Sequence, residues 1–235
     1  AARHPYVGSM SRFPYATLAL TLVLAVVFVW QAGLDGYHDM QAVLAFGVVP
    51  AHLWGVSTPP PQIDLVPQVA TLFTAQILHG GFAPLFGNVV ALLFVGPPLE
   101  ARTGGWRLAA IFVVAGVLGL AVEAATTPSS TIPILGASAS VAGLIGAVAR
   151  RDPHGRVRLK VPRRGFRLRR VEVPILPLVA VWLVAQVAGI AFEQGEPVAF
   201  LAHAAGFVVG ALLAGSDRHG PNVVELQERR RDRDG

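Results

Sequence analysis

Several residue types that often determine a fold or a chemistry are absent from this sequence or rare in it. The 235 residues include no cysteine, which excludes disulfide bridges and zinc–thiolate sites. Charged residues make up only 14% of the chain and hydrophobic residues 53%, with a mean hydropathy of +0.56. A soluble domain of this size cannot bury so much apolar surface, so the composition indicates a membrane protein.

The chain also lacks the residues that several hydrolase mechanisms require. Every aspartate lies outside the predicted membrane spans, which excludes the pair of membrane aspartates that an aspartyl intramembrane protease requires. A His-Glu-x-x-His motif is absent, and we expect no metal. The single lysine, Lys160, lies in a basic loop and cannot form a Ser–Lys dyad within the membrane. Nucleotide-binding fingerprints are missing too, so we expect no cofactor.

Long apolar segments make up most of the sequence. The first, 14–33, has about 20 uncharged residues, the length a helix needs to cross about 30 Å of hydrocarbon. Pro133 and Gly136 interrupt the fourth segment, so its helix is expected to start near Ser138 and to be short. We therefore predict an all-α polytopic membrane protein with six transmembrane helices, at residues 14–33, 82–99, 106–125, 138–149, 173–192 and 199–215.

The distribution of charge predicts the topology. With six spans, all 19 Lys and Arg residues lie on one side, and the positive-inside rule makes that side cytoplasmic, together with both termini. Ten of them fall in 150–170, where topology and attraction to anionic lipid explain them without a nucleic-acid partner. Residues 34–70 have no Lys or Arg and form a predicted external loop with short interfacial helices. We expect a leader at 1–13, a membrane domain at 14–215 and a charged tail at 216–235, in a prokaryotic cell membrane.

Three polar residues are expected at one depth in the membrane. Asn88, Ser138 and His203 each lie twelve residues, about 18 Å of helix, before the residue that marks the cytoplasmic boundary of their span, which is Glu100, Arg150 and Gly215 in turn. A serine nucleophile needs a base within hydrogen-bond reach and a donor for the developing oxyanion, and these residues would supply them. Each also has a structural interpretation: Ser138 bonded to its own backbone, His203 as a buried imidazole and Asn88 as a contact between helices.

The spacing of small residues predicts how two of these groups meet. Gly206 and Gly210 follow His203 by three and seven residues and lie on nearly the same helix face, which allows another helix to approach closely. The fourth helix offers a similarly small surface at Ala139, Ala142, Gly143 and Gly146. A contact between these two helices would bring His203 to Ser138.

Three motifs, taken together in their order along the chain, resemble those of the rhomboid family of intramembrane serine proteases. The resemblance covers roughly residues 14–215. The motifs are Gly136-Ala137-Ser138, Ala202-His203 with Gly206 and Gly210, and His79 followed nine residues later by Asn88. The resemblance implies a Ser138–His203 dyad without a third acidic member, Asn88 at the oxyanion, and His79 and Gly136 in supporting roles. It also implies that single-span or polytopic membrane proteins are the substrates and partners, cleaved in or near their transmembrane segments.

The sequence departs from the family pattern at three positions. Pro84 stands where a second histidine often donates to the oxyanion, Ala139 where the residue after the serine is usually Gly, and Ala142 where an aromatic often packs below the histidine. Two alternatives to a protease therefore stay open: a catalytically weak or inactive rhomboid-like binder of membrane proteins, and a small-solute transporter with broken helices. The oligomeric state is not predicted.

Overall fold

The architecture is known for most of the membrane region. A computed structural model describes residues 13–151 and 200–215, the backbone of 156–163 and 167–174, and the single residues 177, 180 and 181. The predicted leader except for its last residue, nearly all of the fifth span and the predicted tail lie outside the described residues.

In the part of the chain that the structure describes, three helices are long and apolar enough to cross a membrane: α1 (Tyr15–Ala32), α5 (Phe82–Thr103) and α6 (Gly105–Thr126). They confirm the first three predicted spans, with α5 continuing four residues past the predicted end. Pro97 and Pro98 lie inside α5, before the predicted end of the span, and Gly104, with φ +82°, separates α5 from α6.

The connection between α1 and α5 contains the short helices that the sequence left unplaced. Helix α2 (Gly36–Phe46) is capped at its start by Asp35, whose carboxylate accepts from two backbone N–H groups of the first turn. The remaining elements are α3 (Pro50–Leu53), a 3₁₀ turn (Gln68–Ala70), α4 (Thr71–Thr74) and a second 3₁₀ turn (Ala75–Ile77). An isolated bridge between Val48 and Ile134 joins this connection to the chain that precedes the fourth predicted span.

The short helix α7 (Ser138–Arg151) lies at the centre of the described bundle. It packs against α5, α6 and α8 (Phe200–Ala214), and every residue in 139–148 is buried. A side chain at Gly206 would meet the backbone carbonyl of Ala139, and one at Gly210 would meet that of Gly143. Helices α7 and α8 are therefore in backbone contact along the surface that the small-residue spacing predicts.

A carboxylate joins the start of α1 to the end of α5. Glu100 is buried and accepts hydrogen bonds from the backbone N–H groups of Ala16 and Thr17, at 2.9 and 2.8 Å, and from the Thr17 hydroxyl at 2.7 Å. These N–H groups belong to the first turn of α1 and have no partner within the helix. Glu100 is therefore a helix cap, a role that the sequence did not predict.

The basic segment contains a β-hairpin that the all-α prediction did not include. Strand β1 (Arg156–Arg163) pairs antiparallel with β2 (Arg167–Pro174), from Arg156 opposite Pro174 to Arg163 opposite Arg167. Apolar and basic residues alternate in this segment, which is the period of a strand rather than of a loop. Strand β2 also extends to the point where the fifth span was predicted to begin. The other secondary structure in the described residues is helical.

Replacement of Gly210 by Ala is expected to destabilise the protein by about 1–3 kcal/mol, because the added methyl group would overlap the Gly143 carbonyl and separate α7 from α8. Gly87→Ala is the matched control: Gly87 lies in α5 with no atom near its Cβ position, and Ala favours a helix over Gly. Thermal unfolding in detergent should show a lower midpoint for Gly210→Ala only. Equal midpoints for the two variants would contradict the close helix contact.

Candidate active site

Ser138 stands at the first residue of α7, after a stretch of irregular chain. Gly136 has φ +119°, a region that a residue with a side chain rarely adopts, and its N–H donates to the carbonyl of Ala75 at 2.8 Å. The next residue, Ala137, accepts the first backbone hydrogen bond of α7 from Val141. This turn starts the helix at Ser138, so the N–H groups of the first turn, including that of Ser138, have no acceptor within the helix.

Ser138 and His203 are in direct contact. Nε2 of His203 lies 2.6 Å from Oγ of Ser138, across 65 residues of sequence. His203 is buried in the first turns of α8, whereas Ser138 is partly exposed. The contact follows from the glycine packing, because Gly206, one turn after His203, lies against Ala139, the residue after Ser138. With Nε2 unprotonated, the serine hydroxyl donates to it, which is the geometry of a nucleophile and its base.

Asn88 is buried in the second turn of α5 and contacts His79. Its amide Nδ2 lies 3.1 Å from Nε2 of the His79 ring. This hydrogen bond fixes the orientation of the amide group, with Nε2 accepting. The structure thus brings two of the predicted residues together as Ser138–His203 and two others as His79–Asn88.

His79 is itself held by α1. The side chain of Gln31 accepts from the His79 backbone N–H at 3.0 Å and donates to the His79 carbonyl at 3.3 Å. Burial lowers the pKa of His79, which lies in the loop before α5, to about 4, while the Ile77 backbone acts weakly in the opposite direction. The ring is therefore neutral near pH 7, as its acceptor role towards Asn88 requires.

The three departures from the family pattern have different surroundings. Pro84 lies exposed in the first turn of α5, where its missing N–H costs no intrahelical hydrogen bond. Ala139 and Ala142 are fully buried, and Ala139 lies beneath Gly206. The small side chain of Ala139 therefore fits the close approach of α8.

Sequence reasoning missed a buried polar pair beside the serine turn. Ser140 donates to Oε1 of Gln76 at 2.9 Å, and the Gln76 amide donates to the carbonyls of Leu72 and Val113. Gln76 directly follows Ala75, the acceptor for Gly136, so the same turn contacts the chain before and after Ser138. The sequence signal that could have revealed this pair is a glutamine in a mostly apolar segment. The same signal marks Gln31. Among the described residues, no group of three or more His, Asp or Glu side chains could hold a metal ion.

The sequence is similar to those of known proteins from one family. The sequence model of the Rhomboid domain family matches residues 66–218. The chain is 32% identical to Rhomboid-related protein 1 of Caenorhabditis elegans over 152 residues, which cover 61% of this chain and 40% of that protein. It is 29% identical to Rhomboid-related protein 3 of Homo sapiens over 206 residues, which cover 85% of this chain and 47% of that protein.

A third relative carries a different description. The chain is 33% identical to Inactive RHOMBOID-like protein 8 of Arabidopsis thaliana over 81 residues, 34% of this chain and 22% of that protein. The chain spans less than half the length of each curated relative it matches. These relatives are eukaryotic and give no support to the expected prokaryotic membrane.

The His79 ring predicts a pH dependence of stability. Its pKa is about 4 in the fold and about 6.5 in the unfolded chain, so the unfolded state binds the proton first as pH falls. Stability contributed by neutral His79 is complete above about pH 6.5 and is lost progressively towards pH 4, by an amount on the order of 3 kcal/mol.

His79→Gln retains a neutral acceptor that does not titrate, so its stability should fall less than that of the wild type between pH 7 and 4.5. Unfolding midpoints measured in parallel across this range report the difference. Parallel pH profiles for the two proteins would contradict a buried neutral His79.

Proposed function

This chain belongs to the rhomboid family, and on that premise we propose that it is an intramembrane serine endopeptidase whose Ser138–His203 dyad cleaves transmembrane segments of other membrane proteins. The observation that carries the proposal is the 2.6 Å contact between His203 Nε2 and Ser138 Oγ. A structural serine in a helix would bond to its own backbone, yet this hydroxyl is directed at an imidazole.

The proposed reaction is acyl transfer. His203 Nε2 removes the hydroxyl proton while Ser138 Oγ attacks the scissile carbonyl carbon, and the carbonyl π electrons move onto oxygen. Collapse of this tetrahedral species breaks the C–N bond, and His203 gives its proton to the leaving amine. A water molecule, deprotonated by His203, then attacks the acyl-enzyme and releases the second product with Ser138 restored.

Two donors are proposed for the oxyanion: the backbone N–H of Ser138 and the amide of Asn88. The first is available because it lies in the first turn of α7. The second has one N–H engaged by His79 and a second one left for substrate, since a primary amide has two. Pro84 cannot donate, and the loss of one oxyanion donor typically lowers kcat about 10²- to 10³-fold. A slow enzyme is the expected result.

The membrane context of the proposal includes six spans, with both termini cytoplasmic and substrates entering from the bilayer. The one-sided distribution of all 19 Lys and Arg residues supports this orientation. The membrane domain is proposed to cover 14–215, with the leader before it and the charged tail after it. The residues 66–218 that match the Rhomboid domain cover most of that range.

An inactive binder of membrane proteins is the second candidate, because one matching relative is described as inactive. Such a protein would use the same lateral entry for a membrane segment without cleaving it. Retention of both Ser138 and His203 in hydrogen-bond contact favours the protease. A transporter, the third possibility from the sequence, would move solute across liposomes whether or not Ser138 is present.

Purified protein is expected to form a covalent adduct with a fluorophosphonate and to cut a single-span reporter in liposomes. Ser138→Ala and His203→Ala should abolish both activities, because each removes one half of the dyad. Ser129→Ala, in the exposed loop before α7, is the matched control and should retain both. A wild-type protein that folds, forms no adduct and leaves the reporter intact would favour the inactive binder.

Asn88→Ala is expected to lower kcat about 10²- to 10³-fold with little change in KM, because the lost amide acts mainly on the oxyanion. Thr103→Ala provides the control on the same helix, since the Thr103 hydroxyl bonds to backbone carbonyls at the far end of α5. Reporter cleavage kinetics measure both variants. An Asn88→Ala protein with wild-type kcat would remove Asn88 from the proposed oxyanion site.

A further inference from the structure

Glu123 makes a contact next to the dyad that the proposed mechanism does not use. It lies near the C-terminal end of α6 and is partly buried. Its Oε2 accepts a hydrogen bond from the backbone N–H of Ala202 at 2.9 Å. Ala202 directly precedes His203 and lies in the first turn of α8. The carboxylate is thus bound to the backbone of the residue adjacent to the base.

A second residue of α6 contacts the same peptide unit. Gly119 lies one turn before Glu123 and on the same helix face. A Cβ at Gly119 would lie 2.6 Å from the carbonyl oxygen of Ala202 and 2.8 Å from Cβ of Ala139. The backbone N–H and C=O groups of Ala202 are therefore both adjacent to α6. Ala139, the residue after Ser138, packs against the same part of α6.

This arrangement affects where the imidazole lies. The side chain of His203 extends from a backbone that α7 contacts through Gly206 and that α6 contacts through Glu123 and Gly119. The α7 contact fixes the distance between the helices, and the Glu123 hydrogen bond constrains the first turn of α8. The Ser138–His203 distance is sensitive to that turn, because displacement of a reacting group by about 1 Å can lower a rate about 10²-fold.

We propose that Glu123 is a positioning residue for the dyad: its hydrogen bond to the Ala202 N–H holds the first turn of α8 so that His203 Nε2 reaches Ser138. Within the proposed serine protease, on which this inference rests, the acidic residue acts on the backbone beside the histidine and not on the imidazole ring. Because Glu123 acts through geometry, its loss lowers kcat and leaves the binding of substrate unchanged.

Three substitutions of Glu123 separate the hydrogen bond from the charge. Glu123→Gln retains an acceptor oxygen at the same position and should keep the fluorophosphonate labelling rate and kcat within about threefold of wild type. Glu123→Ala has no acceptor, and Glu123→Asp withdraws the carboxylate by one methylene. Both should lower kcat and labelling about 10-fold or more, with KM within about twofold.

Glu100 provides the matched control, because it is also a carboxylate that accepts from first-turn N–H groups, but of α1. Glu100→Ala is expected to lower the unfolding midpoint and to leave kcat per folded molecule unchanged, with Glu100→Gln as its milder substitute. All rates are normalised to folded protein measured by thermal unfolding. An equal loss of kcat per folded molecule in Glu100→Ala and Glu123→Ala would overturn the positioning role.

Two other results would overturn the proposal: wild-type kcat in Glu123→Ala, or a Glu123→Gln protein as slow as Glu123→Ala. Amide hydrogen exchange of peptides that cover 200–206 tests the hydrogen bond without activity, and Glu123→Ala should exchange faster there than wild type. If the wild type neither labels nor cleaves, the proposed protease fails, while exchange still decides whether Glu123 holds this turn. Unchanged exchange in Glu123→Ala would overturn that hold as well.

Discussion

The backbone contact between α7 and α8 is the interaction on which the rest of the site depends. Gly206 and Gly210 bring α8 against the carbonyls of Ala139 and Gly143. The same close packing of the two helices places Ser138 Oγ and His203 Nε2 2.6 Å apart. The glycines thus determine how close the side chains of Ser138 and His203 lie to each other. The other contacts around this pair adjust the distance between them.

Buried polar groups surround this contact and keep the irregular chain in place. In a bilayer, backbone N–H and C=O groups outside regular helices need protein partners. Gln31 satisfies both backbone groups of His79, and the turn at Ala75 and Gln76 binds the chain on either side of Ser138. These side chains satisfy buried backbone groups, so they stabilise the fold and orient the site through the same hydrogen bonds.

The sequence predicts the main helices and the dyad contact for a simple reason: polar residues in apolar spans are rare, and glycine spacing marks a helix contact. Ser138, His203, Gly206 and Gly210 were all found in this way. The partners of Gln31, Gln76 and Glu123 were not, because most of these partners are backbone N–H and C=O groups, which no sequence motif marks. The hairpin was missed because its charges were interpreted as a topology signal, which hid their alternation with apolar residues.

The cap that Glu100 places on α1 has a consequence for biosynthesis. The chain enters the membrane from the N-terminal end, so α1 is made long before Glu100 emerges, about 83 residues later in the sequence. Until then the first turn of α1 has no carboxylate to accept from Ala16 and Thr17. The first turn of α1 is therefore capped only once α5 has packed against it, which links the stability of the first helix to the presence of the second.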